Sequence, residues 1–200
     1  MPNGYSAFRF FINMRSIKLF FLSLLLLCSA SIFAQKDFFG IPKLVLNGEE
    51  YTLRWSAKTH KVRYVEDFLP KKDSYSRFNS KVSFDFIEAD LMASDIADAK
   101  MESLGIEKEE GTVAKYNKTV SANGDILIEY TTIDVDDAKI RVAEWNICRY
   151  AKVTNGVLLV QMKMREYDVK ADKFQSMVDS NREKWIKAVT SYKIPHISIK

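Results

Sequence analysis

The stretch "NGDILIEYTTIDVDDAKIRVAEWNICRYAKVTNGVLLVQMKMREY", residues 123–167, contains two Asn-Gly pairs. Each pair lies between segments rich in β-branched and aromatic residues, and Asn-Gly supplies the positive φ angles that a tight hairpin needs. The sequence therefore predicts two hairpins joined by the acidic link DVDD, which together form a four-stranded antiparallel meander. The predicted strands are residues 113–120, 125–133, 139–153 and 157–167.

The last predicted strand has one apolar face, because Leu158, Val160, Met162 and Met164 alternate with mostly polar residues. Such a face needs a cover. Apolar side chains recur at helical spacing across residues 170–192, so we expect a long C-terminal helix to pack on this face.

A second amphipathic helix is predicted over residues 92–104, with Gly105 as its stop signal. Strand-like segments precede it at residues 51–56, 62–69 and 81–87. Clustered strands with separate helices indicate an α+β fold: an antiparallel sheet with a C-terminal meander, packed against two helices. We assign residues 50–200 to this single domain and residues 35–49 to an N-terminal extension.

The first 34 residues have the order of a secretory signal peptide. Arg15 and Lys18 precede an apolar run at residues 19–27, and small residues follow it. The run is about half the length of a membrane-spanning helix, which needs about 20 apolar residues, so a retained anchor is the less favoured alternative. We expect cleavage after Ala34, with Ala30 as the alternative, and a mature protein that is periplasmic or secreted and has no transmembrane helix.

Two further interpretations of residues 1–34 remain open. Met14 is a possible true start, since the residues before it add nothing that a signal peptide needs. Cys28 follows the apolar run as a lipidated cysteine would, which gives an alternative hypothesis of a lipid-anchored envelope protein. However, Leu27 stands where bacterial lipoproteins have a small residue. The ending "SIFAQ" resembles exported proteins of the Bacteroidetes group.

Composition argues against nucleic acid as a partner and against a stabilising disulfide. Without residues 1–34 the chain has 27 basic and 26 acidic residues, so it has no broad cationic field for nucleic acid. Only Cys148 then remains, and no intrachain disulfide can form. Because Cys148 lies in a strand-like alternation far in sequence from histidine, we interpret it as a buried structural cysteine.

The stretch "VEDFLPKKDSYSRFNSKVSFDF", residues 65–86, resembles a segment of small exported bacterial proteins of unassigned function. In those proteins "YLP" leads to a polar turn, an aromatic residue and a strand; here Phe68 replaces the tyrosine and Phe78 the usual tryptophan. The following order of helix, four strands and long helix is similar to the PsbP fold. The resemblance implies a PsbP-like α/β/α sandwich and a binding or assembly role, and it brings no catalytic motif.

Sequence motifs for catalysis, cofactors and metals are weak. His60 and His196 are isolated, and the chain has no phosphate-binding loop. The DVDD turn has calcium-type ligands but lacks the glycine and glutamate of an EF-hand. We therefore predict no catalytic residue, no cofactor and no metal, although Glu129, Glu144 and Glu166 would support an alternative hydrolase hypothesis if they converged in a pocket.

The leading hypothesis is an exported, non-enzymatic binding or assembly module. Its surface would be an uncovered sheet face or a cleft between sheet and helix, and its partner a small molecule or an envelope protein. The candidate binding residues are Trp145, Arg141 and Arg149, which share one parity in a predicted strand. If that parity faces solvent, Trp145 is an exposed ring between cations.

Overall fold

The computed structural model describes residues 36–41, 43–137, 139–194, 197 and 199. Within them the chain forms the strands β1 (Lys43–Leu46), β2 (Glu49–His60), β3 (Arg63–Pro70), β4 (Ser80–Ile87), β5 (Val113–Val120), β6 (Ile126–Asp136), β7 (Lys139–Val153) and β8 (Gly156–Tyr167). The helices are α1 (Ala93–Glu109) and α2 (Ala171–Ser191). These strands make one antiparallel sheet in the order β1-β2-β3-β4-β8-β7-β6-β5.

The predicted four-stranded meander is confirmed, since β5 to β8 pair consecutively. The turns differ from the tight Asn-Gly turns that we predicted. Val153 pairs with Gly156, so Asn155 supplies the positive φ angle of 65° while Gly156 already belongs to β8. In the first hairpin Val120 pairs with Ile126, which leaves a five-residue loop at 121–125.

The two helices cover opposite faces of the sheet. Alternate residues of β7 point to opposite sides: Ala143, Trp145 and Ile147 pack in the core with α2, whereas Cys148 and Tyr150 pack in the core with α1. The predicted α+β fold with an α/β/α arrangement is therefore confirmed. The predicted C-terminal helix is confirmed within one residue at each end.

The predicted end of the first helix at Leu104 is wrong, because α1 continues through Gly105 to Glu109. Gly105 has helical backbone angles, and a side chain there would meet only the Tyr116 hydroxyl at 3.6 Å. The chain leaves the helix at Gly111, whose φ angle of 81° lies in the left-handed region. A glycine inside a helix weakens it but does not have to end it.

Residues 36–41 and 43–46, which were predicted to belong to an N-terminal extension, are part of the core and the sheet. Phe38, Phe39 and Ile41 are buried in the same cluster as α2, and β1 pairs with β2. The boundary at residue 50 is therefore wrong for the folded domain. Gly40 and Pro42 interrupt this segment, so its apolar residues show no sustained helical or strand period and gave no signal of burial.

Neither helix of the described chain is long and apolar enough to cross a lipid bilayer. The predicted signal peptide, its cleavage site near Ala34 and the alternative lipid attachment at Cys28 lie outside the described residues.

Candidate functional site

A groove runs between α2 and the β5 side of the sheet, because α2 packs mainly on β7 and β8. The groove contains two cavities of about 350 Å³ and about 460 Å³. Both cavities are lined by Glu129 of β6 and Arg182 of α2, so they meet at these two side chains. We call this feature the α2 groove.

The inner wall of the α2 groove is apolar. Its sheet side is lined by Leu127, Trp145 and Ile147, and its helix side by Val178 and Ile186. All but Ile186, which is half-buried, are buried in the fold. The outer wall is the edge strand β5, which contributes polar side chains. A groove with an apolar inner wall and a polar rim suits a ligand that has an apolar body and a polar end.

An ion pair crosses the groove where the two cavities meet. Arg182 donates from Nε to Glu129 Oε2 at 3.0 Å and from Nη2 to Glu129 Oε1 at 2.5 Å. Hydrogen bonding to this carboxylate is the main reason that the pKa of Arg182 is raised, with burial opposing it. A bidentate pair of this kind joins α2 to β6 and divides the groove.

The charges on the rim balance one another. Three cations and three carboxylates line the two cavities: Lys115, Arg182, Lys187, Glu129, Asp179 and Glu183. The side chains that line the groove therefore carry no net formal charge. Selection would come from shape, apolar contact and hydrogen bonding instead.

Trp145 is not the exposed ring that the sequence hypothesis required. Its side chain is 2% exposed and packs in the core with α2. The strand parity was identified correctly, but that face is covered by the C-terminal helix instead of by solvent. Trp145 reaches the groove only as part of its inner wall.

Arg149 shares the face of Trp145 and is also buried. Its Nε donates to Asp125 Oδ2 at 2.6 Å, and its Nη1 donates to the carbonyls of Val189 and Tyr192 at 3.1 and 2.7 Å. The last carbonyls of a helix lack partners within the helix, and the negative end of the helix dipole favours a cation there. Arg149 therefore fixes the C-terminal end of α2, and its guanidinium group is engaged by these three oxygen atoms.

Arg141 lies apart from the other two candidates. The ladder between β6 and β7 pairs Asp134 with Val142 and Val135 with Ile140, so Arg141 is skipped. This bulge breaks the parity that linked Arg141 to Trp145. Arg141 is exposed and pairs with Asp134 at 2.9 Å. The structure thus does not bring Trp145, Arg141 and Arg149 into one site.

The three strand carboxylates do not converge. Glu129 pairs with Arg182 on the α2 face, whereas Glu144 accepts from Lys163 Nζ and Arg165 Nε, each at 2.6 Å, on the opposite face. Burial raises the pKa of Glu144, but these two cations more than offset it and hold that pKa below its usual range.

Glu166 lies opposite Ala143 in the ladder and therefore on the α2 face, away from Glu144. The shared pocket that the hydrolase hypothesis needed is absent for these three residues.

Other reactive groups are placed away from any site. Burial is the main cause that raises the pKa of the Cys148 thiol to about 12, which keeps it protonated at neutral pH. His60 is exposed, and His196 lies outside the described residues. Across the described parts of the chain, no three His, Cys, Asp or Glu side chains are grouped as metal ligands.

Arg182 and Ile186 line the groove but were not predicted from the sequence. Both lie on α2, where the sequence shows only the apolar stripe that faces the sheet. Their part in the groove depends on how far α2 stops short of β5, and nothing local in the sequence encodes that distance.

The fold and the groove define a three-layer α/β/α protein with one antiparallel sheet and a cleft beside its C-terminal helix. A protein-family model matches residues 39–194, and the chain belongs to that family. Among solved structures, it is similar to the solution structure of cyanobacterial PsbP (CyanoP) from Synechocystis sp. PCC 6803, at 9% identity and a TM-score of 0.39. The match covers 80% of this chain and 98% of that one.

The PsbP resemblance expected from the sequence thus recurs among solved structures, at the level of the fold alone. The comparison with curated proteins found no match.

Proposed function

We propose that this protein is an exported, non-enzymatic binding module that holds a small amphipathic ligand in the α2 groove. The observation that carries the proposal is the pair of adjoining cavities with an apolar inner wall. Their volumes of about 350 and about 460 Å³ fall in the range of about 300–1,000 Å³ that is typical of small-molecule sites.

The chemistry of the groove supports binding more than catalysis. Of the three carboxylates that line it, Glu129 is engaged by Arg182, and the buried thiol Cys148 lies on the other face of the sheet. The apolar residues of the inner wall would hold the body of the ligand, and the polar side chains of β5 and α2 would hold its end. Export is supported by the order of charged, apolar and small residues at positions 15–34.

The test is native mass spectrometry of the chain purified from its envelope fraction by gentle extraction. We expect a mass above that of the polypeptide, which falls to the polypeptide mass on denaturation. Ile186→Trp should remove the added mass because the larger ring fills the groove. Ser180→Trp is the matched control, since it adds the same ring at an exposed position of the same helix.

A wild-type chain without added mass contradicts the proposal, as does an Ile186→Trp variant that keeps its ligand. The same spectra test how the exported chain is processed: a chain that begins at Gln35 supports cleavage after Ala34, whereas a lipid-bearing chain that begins at Cys28 would contradict that site and support the lipid-anchored alternative.

A further inference from the structure

A second surface, on the opposite face of the sheet, presents two exposed aromatic rings. Trp55 of β2 is 38% exposed and Tyr75, in the loop between β3 and β4, is 49% exposed. The ring centroids are 6.5 Å apart and the planes are tilted by 51°. Both rings therefore present part of their surface to solvent.

A bulge in β2 turns Trp55 out of the core. Leu53 pairs with Phe68 and packs in the α2 core, but Trp55 pairs with Asp67, so the ladder skips the residue between them. Without this bulge, Leu53 and Trp55 would lie on one face. Bulges re-aim side chains next to functional sites, and here the re-aimed group is an indole.

A nearly buried carboxylate holds the second ring in place. The Tyr75 hydroxyl donates to Asp67, which is only 3% exposed. Ser83 Oγ also donates to Asp67, at 2.5 Å, and Lys81 Nζ does so at 2.9 Å. Burial and the bond to Asp67 raise the pKa of Tyr75, so this phenol stays protonated as a donor. An exposed ring fixed by a buried network is preorganised for contact with a ligand.

The two charged side chains beside these rings form an ion pair with each other. Lys81 pairs with Asp67 and lies 5.3 Å from the centroid of the Tyr75 ring. A ligand cation would have to displace Lys81 from that ring, and a ligand anion would have to compete with Asp67. The surface therefore suits an uncharged ligand with a flat face.

We propose that Trp55 and Tyr75 form a platform for the sugar rings of a glycan. One face of a pyranose ring presents C–H groups with partial positive charge, which pack against the negative face of an aromatic ring. Its hydroxyl groups remain free to bond to water and to neighbouring polar side chains. This surface is distinct from the α2 groove, and its occupancy does not depend on the function proposed for that groove.

The experiment uses chitotetraose and cellotetraose as probes and iodide quenching of tryptophan fluorescence as the readout. The chain has three tryptophans. Trp145 and Trp185 are 2% and 6% exposed, so iodide reaches Trp55 in preference to them. We expect at least one tetrasaccharide to protect Trp55 saturably.

Calorimetric titration of variants then tests the residues. Trp55→Ala should weaken binding by about tenfold or more. Tyr75→Phe keeps the ring but loses its anchor and should weaken binding by about threefold. Val120→Ala, which trims another exposed apolar side chain far along the sheet, is the control and should leave affinity unchanged. Matching unfolding midpoints show that the variants are folded.

The proposal is overturned if neither tetrasaccharide protects Trp55 at about 10 mM, which corresponds to binding too weak to be specific. It is also overturned if Trp55→Ala keeps wild-type affinity, or if Val120→Ala weakens binding equally. Trp55-dependent binding of a proline-rich peptide, with no binding of sugar, would assign the platform to a protein partner instead.

Discussion

At the scale of single residues, buried charged side chains hold separate parts of the fold together. Glu66 is fully buried, and its Oε1 accepts from the N–H groups of Phe38 and Phe39 at 2.5 and 3.3 Å. Among the described residues, neither its Oε2 nor Oγ of Ser56, which lies opposite Glu66 in the ladder, has a hydrogen-bond partner. Glu66 therefore joins the N-terminal segment to the sheet. Its burial favours the neutral, protonated form of the carboxyl group.

Glu66 should make the stability of the fold depend on pH. Burial, with a contribution from Asp37, raises the pKa of Glu66 from 4.5 to about 7, although the two backbone N–H groups lower it. The folded state then binds a proton more tightly than the unfolded state. The free energy of unfolding should fall by on the order of 2 kcal/mol as pH rises from about 4.5 to about 7. Glu66→Gln should flatten this slope in urea titrations across that range.

The control is Glu144→Gln, because the pKa of Glu144 is shifted downward and its removal should leave the slope above pH 5 in place. A Glu66→Gln variant with the wild-type slope would contradict the assignment of that slope to Glu66.

The arginines of β7 give a second prediction at this scale. Arg149→Met should lower the free energy of unfolding by about 3 kcal/mol, because it leaves Asp125 and two helix carbonyls without their buried partner. Arg141→Met removes an exposed pair that solvent screens and should leave the free energy of unfolding almost unchanged. Chemical denaturation of both variants measures the difference, and equal losses would show that Arg149 does not support α2.

At the scale of elements, the glycines mark two different situations. Gly156 is the first residue of β8 and lies very close to β4. A Cβ atom there would be 2.2 Å from the carbonyl oxygen of Ile87 and 2.6 Å from the Phe86 ring. Gly105 lies within α1 with space around it. The same residue type is therefore required for close approach at one position and merely tolerated at the other.

Alanine at these two glycines should have opposite effects. Gly156→Ala should destabilise the fold by about 2 kcal/mol or more, since β4 and β8 would have to separate. Gly105→Ala should stabilise it by about 0.5–1 kcal/mol through helix propensity. Thermal unfolding of the pair provides the check. A tolerated Gly156→Ala would mean that the approach of β4 to β8 is looser than described.

At the scale of the whole molecule, the N-terminal segment completes the larger core. Phe38 and Phe39 contact the rings of Tyr64 and Phe86, with centroids 5.4 and 6.4 Å apart respectively. Asp37 Oδ1 accepts from the N–H groups of Gly40 and Ile41 and shapes the turn before β1. The segment that follows the predicted cleavage site is thus part of the fold.

Truncation tests this role. A chain that begins at Pro42 should lose at least about 4 kcal/mol of unfolding free energy relative to one that begins at Gln35, because three large apolar side chains leave the core. Urea denaturation of both chains measures the loss. If the shorter chain were equally stable, residues 35–41 would be the simple extension that the sequence suggested.

The sequence by itself determined the meander and the two helices, because alternation, helical spacing and turn residues are local signals. The structure decided what those patterns could not encode. β4 pairs with β8, far apart in sequence, and this pairing joins the two halves of the sheet. Bulges beside Trp55 and at Arg141 reversed the faces that simple alternation predicts. The helical spacing of α2 did predict that it covers the apolar face of β8, but how far α2 extends across the sheet, and so where a groove remains, depends on long-range packing that local periodicity does not encode.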